Sequence, residues 1–239
     1  TLFPYTTLFR SNGMTYLAFD VDGTLYDCGD IVLEAFQRGA RAYRRMYPGA
    51  PVHDPTQGEI ITVIGIPTDE IFQRLYPELD VRGQSLMNDL CTHELSQMVR
   101  EGGGHLFEGV TETLRSLTTA GYVLLLASNG KKPYLDAILQ THGLEALFSP
   151  PVILIDGNIR NKRDIVQRYK TGIAAGSPLI MIGDRHSDRD AAEDNGIPFI
   201  GCAFGHAGAS EIEDTQWVVH DFREIPGQVM NILNGKISC

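Results

Sequence analysis

Residues 14–24 read MTYLAFDVDGT, and this stretch decides the fold. MTYLAF, residues 14–19, is a short apolar run that stops abruptly at DVDGT, residues 20–24. A run this short, bounded by a turn signal, predicts a buried strand followed by a turn rather than a helix. Two carboxylates, Asp20 and Asp22, then stand at the end of that strand.

Outward from this strand the chain changes pattern twice. Residues 28–100 read mostly helical: IVLEAFQRGARAYRRMY, DEIFQRLYPEL and SLMNDLCTHELSQMV each carry apolar residues at helical spacing. Breaks fall at YPGAPVHDP and at Gly65-Ile66-Pro67, and GGG at 102–104 reads as a flexible joint. Beyond it, helix and strand alternate. VTETLRSLTTAG and KPYLDAILQTHG are expected helices ending on Gly121 and Gly143. NKRDIVQRYK is a helix capped by Asn161, with Asp164 three residues on. SDRDAAEDNG is a further helix, and another from Phe222 closes the chain after WVVH. YVLLLAS, PVILID, PLIMIGD and IPFIGC are expected strands. Such alternation implies parallel pairing. The expected fold class is α/β: a Rossmann-like parallel sheet core, residues 14–27 and 103–239, with an inserted α-helical cap domain at 28–102.

Residues 1–13 stand apart from this pattern. TLFPYTTLFRS has no basic n-region and no apolar core, so it resembles neither a secretory signal nor a presequence. Back-translated, it reads in one frame as a common sequencing-adapter oligonucleotide. Residues 1–13 are therefore expected to be a non-native arm, with the native start at Met14.

The 239 residues carry a net charge of −10, which disfavours a nucleic acid polymer as partner, since that needs a lysine and arginine footprint. The longest apolar run, VLLLA at 123–127, is too short to span a bilayer, so no membrane partner is expected. Cys28, Cys91, Cys202 and Cys239 lie far apart with no C-x-x-C, which indicates neither a zinc knuckle nor a redox motif. Reduced thiols in a cytoplasm are the expectation.

Sites in open α/β sheets form at the carboxyl ends of strands. Polar residues end three of the expected strands: Asp20 and Asp22, then Ser128 and Asn129, then Asp184, with Asp188 four residues further on. Lys162 opens the helix after another. Carboxylates brought together without a cation repel and take up protons. A hard divalent cation resolves this, and carboxylate oxygens suit Mg2+. Asp20, Asp22, Asp184 and Asp188 are the candidate Mg2+ ligands. Beside a hydroxyl and a lysine, such a site suits a phosphoryl group. Asp20 at the strand end is positioned to attack phosphorus. Asp22, two residues on, is placed to protonate the leaving oxygen and then activate water. Ser128, Asn129 and Lys162 are the candidate phosphate contacts, with Lys162 also offsetting charge on the reacting groups.

DVDGT at 20–24, SN at 128–129, Lys162 and GDRHSD at 183–188 resemble the four ordered motifs of the haloacid dehalogenase superfamily. The resemblance runs from about Met14 to about Gly205. A helical insertion directly after the first motif resembles the C1-capped subfamily, which includes phosphoglycolate phosphatase and β-phosphoglucomutase. Dehalogenases and phosphonatases of this superfamily resemble D-x-Y-G-T and D-x-A-G-T instead, so Asp22 implies phosphoryl chemistry. The family also implies a cap that closes over the site and excludes water. Arg185-His186 departs from it, because many relatives carry a small hydroxyl residue after the aspartate of the fourth motif.

The implied activity is a magnesium-dependent phosphatase acting on a small phosphorylated metabolite, phosphoglycolate-like esters first. The alternatives are a phosphomutase and a non-catalytic phospho-ligand-binding member. Other candidates have plainer readings. Asp190 is the fallback metal ligand, Arg163, Lys131 and Lys132 compete with Lys162, and His186 reads as a loop histidine. Arg38, Arg41 and Arg45 share a helix face that reads as solvated. Neither oligomeric state nor the exact ester follows from the sequence.

Overall fold

The computed structural model describes residues 13–64, 66, 68–150, 152–155, 158–207 and 211–235. Residues 1–12, Gly65 and Pro67 of the expected helix break, Asp156 and Cys239 lie outside the described residues.

Seven strands are found among them: β1 Tyr16–Phe19, β2 Tyr26–Asp27, β3 His105–Leu106, β4 Val123–Leu126, β5 Leu179–Gly183, β6 Phe199–Cys202 and β7 Trp217–Val219. The helices are α1 Val32–Met46, α2 Gln57–Val63, α3 Thr68–Leu75, α4 Val81–Arg100, α5 Val110–Thr119, α6 Lys132–Thr141, α7 Lys162–Gly172, α8 His186–Asp194 and α9 Ile225–Leu233. Two compact units emerge. Among the described residues, one comprises those within 13–25, 106–128 and 146–235, and the other those within 26–105 and 129–145.

The first unit is a five-stranded sheet in the order β4-β1-β5-β6-β7, with every pair parallel. All four residues of β1 are fully buried, as its central place demands. Alternate side chains serve opposite faces. Tyr16 and Ala18 join Leu125, Met181, Ile165, Val166, Tyr169 and Ala192 in one core, under α7 and α8. Phe19 faces the other way and meets Phe222 and Phe148, with ring centroids 6.0 and 6.3 Å away. The chain runs from β1 to β4 on one side and then to β5 on the other. The topological switch therefore falls at β1, where open α/β sheets hold their ligands.

The Rossmann-like reading holds with one correction. PVILID was expected as a strand, yet residues 152–155 form none. A single parallel bridge joins Phe148 to Leu124, and the chain then leaves the sheet. The Ile153 N–H donates not to a neighbouring strand but to the Tyr169 hydroxyl at 3.1 Å, which itself donates to the Leu126 carbonyl at 2.8 Å. A side chain takes the place of the ladder, while Ile153 and Ile155 still pack against the core.

The second unit is helical. Phe36 stacks on Phe72 at 5.6 Å, in a core that includes Val32, Ala40, Ile60, Tyr76, Met87 and Cys91. Helix α2 was not expected from the sequence. Thr56 caps it, accepting from the Glu59 N–H at 3.3 Å while Glu59 accepts from the Thr56 N–H at 2.8 Å. The hydrogen bonds from Thr56, its backbone N–H first, hold the Glu59 carboxyl down at about 2. Thr56→Ala should cost about 1 kcal/mol of stability in urea unfolding.

Within the GGG triplet Gly102 is exposed, whereas Gly103 and Gly104 are packed. The Tyr26 hydroxyl donates to the Gly103 carbonyl at 2.5 Å. Gly104 holds φ +67°, and a side chain there would lie 2.5 Å from Tyr26 Cζ. Both the left-handed backbone and the close approach demand glycine. Gly104→Ala should therefore lower unfolding free energy by about 2 kcal/mol or more, whereas an alanine at an open, right-handed glycine costs nothing comparable.

Candidate active site

The register of the sheet builds the site. Phe19 is level with Leu126 on one side and Ile182 on the other. Pairing continues one step further: the Ala127 N–H donates to Phe19 O at 2.8 Å, and the Asp20 N–H to Ile182 O at 2.9 Å. Asp20, Ser128 and Asp184 are thus delivered side by side at the carboxyl ends of β1, β4 and β5. All three are buried.

Asp184 follows β5 directly, and α8 begins two residues later. Asp188, in the first turn of α8, accepts from the Arg185 N–H at 3.0 Å. Lys162 opens α7 behind the Asn161 cap, whose side chain accepts from the Asp164 N–H at 3.1 Å. Its ammonium lies 2.8 Å from Asp20 Oδ1 and also pairs with Asp188. Asp20, Asp184 and Asp188 each present an oxygen within 4.8 Å of the others. The Asp22 side chain is not part of this cluster and is half-buried in the turn beyond. Asn129 follows Ser128 and is half-buried, in the second unit.

Three buried carboxylates against one ammonium leave excess negative charge. Burial, and then the charge of Asp20, push the Asp184 carboxyl up to about 7. The same two causes, in the same order, raise Asp188, with Lys162 opposing. Burial disfavours the Lys162 cation, but Asp188 and Asp20 outweigh it and raise its pKa. Asp184 Oδ2 accepts from the Ala207 N–H at 3.1 Å. Asp184 Oδ1, fully buried, has no hydrogen-bond partner among the described residues. Gly23 holds φ +83°, and a side chain there would lie 2.6 Å from Asp184 Cγ. An orphaned carboxylate oxygen in an over-acidic, all-oxygen cluster fits a hard divalent cation.

The other candidates lie elsewhere. Arg163 pairs with Asp194 at 2.5 Å, Lys131 with Asp89 at 2.8 Å and Lys132 with Asp136 at 2.5 Å. Asp190 and Arg45 are exposed. Arg38 pairs with Glu34 at 2.9 Å and Arg41 with Asp54 at 3.3 Å, on an exposed face. His186 is held by Glu211, its Nδ1 2.7 Å from Oε2. Neither Glu211 nor the Ala207 amide was singled out from the sequence. Both come from the chain beyond β6, where no motif marks them.

Fold and cluster together define a carboxylate-centred site at the switch point of a doubly wound sheet. The chain belongs to the haloacid dehalogenase-like hydrolase family, whose model matches residues 17–202. Tyrosine-protein kinase PtkA of Mycobacterium tuberculosis is 28% identical over 207 residues, 84% of this chain and 66% of that one. The chain thus spans slightly less than two thirds of that relative's length. Phosphoglycolate phosphatase of Vibrio cholerae is 26% identical over 220 residues, 84% of this chain and 89% of that one. Among solved structures, a hydrolase from Pseudomonas syringae superposes with a TM-score of 0.73 at 19% identity, covering 92% of this chain and 99% of that one. No described helix is long and apolar enough to cross a membrane.

Proposed function

We propose that the chain is a magnesium-dependent phosphatase that hydrolyses a small phosphorylated metabolite through an aspartyl-phosphate on Asp20. The observation that carries this is the cluster of Asp20, Asp184 and Asp188, whose oxygens lie within 4.8 Å of one another, with Lys162 paired to Asp20 and Asp188. The V. cholerae relative, named a phosphoglycolate phosphatase, favours a short phosphorylated acid as substrate.

Asp20 supplies the nucleophilic oxygen, and Lys162 holds that carboxylate in place and offsets charge on the transferring group. Asp22 protonates the departing ester oxygen, then takes a proton from the water that cleaves the acyl phosphate. Ser128 and Asn129 hold the oxygens that do not transfer. Asp20, Asp184 and Asp188 would hold Mg2+, with Asp22 close by on the same loop. Bound there, Mg2+ supplies Lewis-acid stabilisation of charge on the phosphoryl group. The buried thiols of Cys91 and Cys202 support residence in the cytoplasm.

A second reading rests on the mycobacterial relative, which is named a tyrosine-protein kinase. In it, Asp20 passes the phosphoryl group to an acceptor other than water, as a mutase also would. Phosphate release from a panel of small phosphate esters, with Mg2+ and with chelator, separates the two. Chelator-sensitive release is the expected result. A phosphorylated acceptor without free phosphate would instead establish transfer.

A further inference from the structure

Arg185 and His186, which join Asp184 to α8, are both engaged by a single carboxylate. Glu211 Oε1 lies 2.8 Å from Arg185 Nη1. Its other oxygen accepts from the His186 N–H at 3.1 Å and lies 2.7 Å from His186 Nδ1. One side chain therefore engages three groups on two consecutive residues. The next step reaches the cluster, for the Arg185 N–H donates to Asp188 Oδ2 at 3.0 Å while Asp188 Oδ1 faces Lys162. Glu211 is itself anchored, because Ile212 beside it is buried in the core under the sheet. A ligand carboxylate is only as well aimed as the groups that hold it.

We propose that Glu211 is a positioning residue: it fixes the Arg185–His186 turn at the start of α8, so that Asp188 presents its carboxylate to the same centre as Asp20 and Asp184. The inference rests on the Mg2+ reading above. It assigns Arg185 a role that suits a long, forked cation, whose side chain reaches Glu211 while its own N–H is left for Asp188.

The test is Mg2+ binding by calorimetry on the full chain, with thermal unfolding in chelator and the kcat and Mg2+ activation constant measured in parallel. Glu211→Gln keeps the shape but turns an NH2 toward a donor. It should raise the Mg2+ dissociation constant about tenfold or more, and saturating Mg2+ should restore most of kcat. Arg185→Gln removes the guanidinium leg but leaves both backbone donors, so it should shift the constant less, in the same direction. Glu193→Gln, which breaks only the exposed pair with Arg189 on the same helix, should leave it unchanged. A Glu211→Gln constant within twofold of wild type overturns the inference, and so does a lowered melting temperature with unaltered binding. Wild-type protein that binds no Mg2+ overturns the metal reading itself, and this inference with it.

Discussion

Asp20→Asn should abolish phosphate release, lowering kcat by about 10³-fold or more, while the protein stays folded. The asparagine is nearly isosteric and its backbone bond to Ile182 O is untouched. It offers no anionic oxygen to attack phosphorus. Its effect on the fold should run the other way from most active-site damage. Asp20 is one of the charges that raise the Asp184 and Asp188 carboxyls, so removing it relieves repulsion in a buried cluster. Lys162 keeps Asp188 as a partner. In chelator the variant should therefore melt no lower than wild type, and its circular dichroism should be unchanged. Turnover within tenfold of wild type would end the covalent mechanism. Loss of turnover with a phosphorylated ligand still bound would match the mechanism and exclude a purely ligand-binding role for the native site.

Much of the site was legible because each residue sits beside a strong local signal. Asp20 and Asp184 end short apolar runs, and Lys162 follows the asparagine cap of its helix. Glu211 carries no such signal. It lies 26 residues from Arg185, and a glutamate in the acidic stretch EIED looks like any solvated carboxylate. Burial of its neighbour Ile212 gives it position, and burial in a loop has no periodicity to read. In the fold, PVILID shows the limit of apolar runs. Such a run reports burial, and Ile153 and Ile155 are indeed packed, but burial does not choose between a ladder and a tyrosine hydroxyl as partner. Helix α2 is the opposite case. Thr56-Gln-Gly-Glu59 is a capping-box signature, masked by a glycine and by the β-branched residues that follow.

Lys162→Met should produce the largest change in stability, and one that depends on pH and Mg2+ together. The wild-type ammonium is buried between Asp20 and Asp188. Methionine fills similar space but leaves three buried carboxylates with no cation. Breaking a buried pair from one side costs about 3–5 kcal/mol. The pH sign follows from Asp184. Its folded pKa, pushed up to about 7 by burial and then by Asp20, stands above the unfolded value near 3.9. The folded state therefore keeps a proton that the unfolded chain has given up. Asp184's contribution to stability is therefore greatest below about pH 4, falls as pH rises, and levels off above about 7. Without Lys162, which opposes the rise at Asp184 and Asp188, those two carboxyls are raised further, so the fall should be steeper and continue to higher pH. In chelator, Lys162→Met should fold at pH 5.5 and be far less stable at pH 8, where wild type loses less. Saturating Mg2+ at pH 8 should then raise the variant's melting temperature by more than it raises that of wild type, because the cation enters a cluster with one more uncompensated charge. Urea unfolding at both pH values, with and without Mg2+, measures all of this. Equal pH dependence in the two proteins, or an equal gain from Mg2+, would show that the three carboxylates do not act as one electrostatic unit around Lys162.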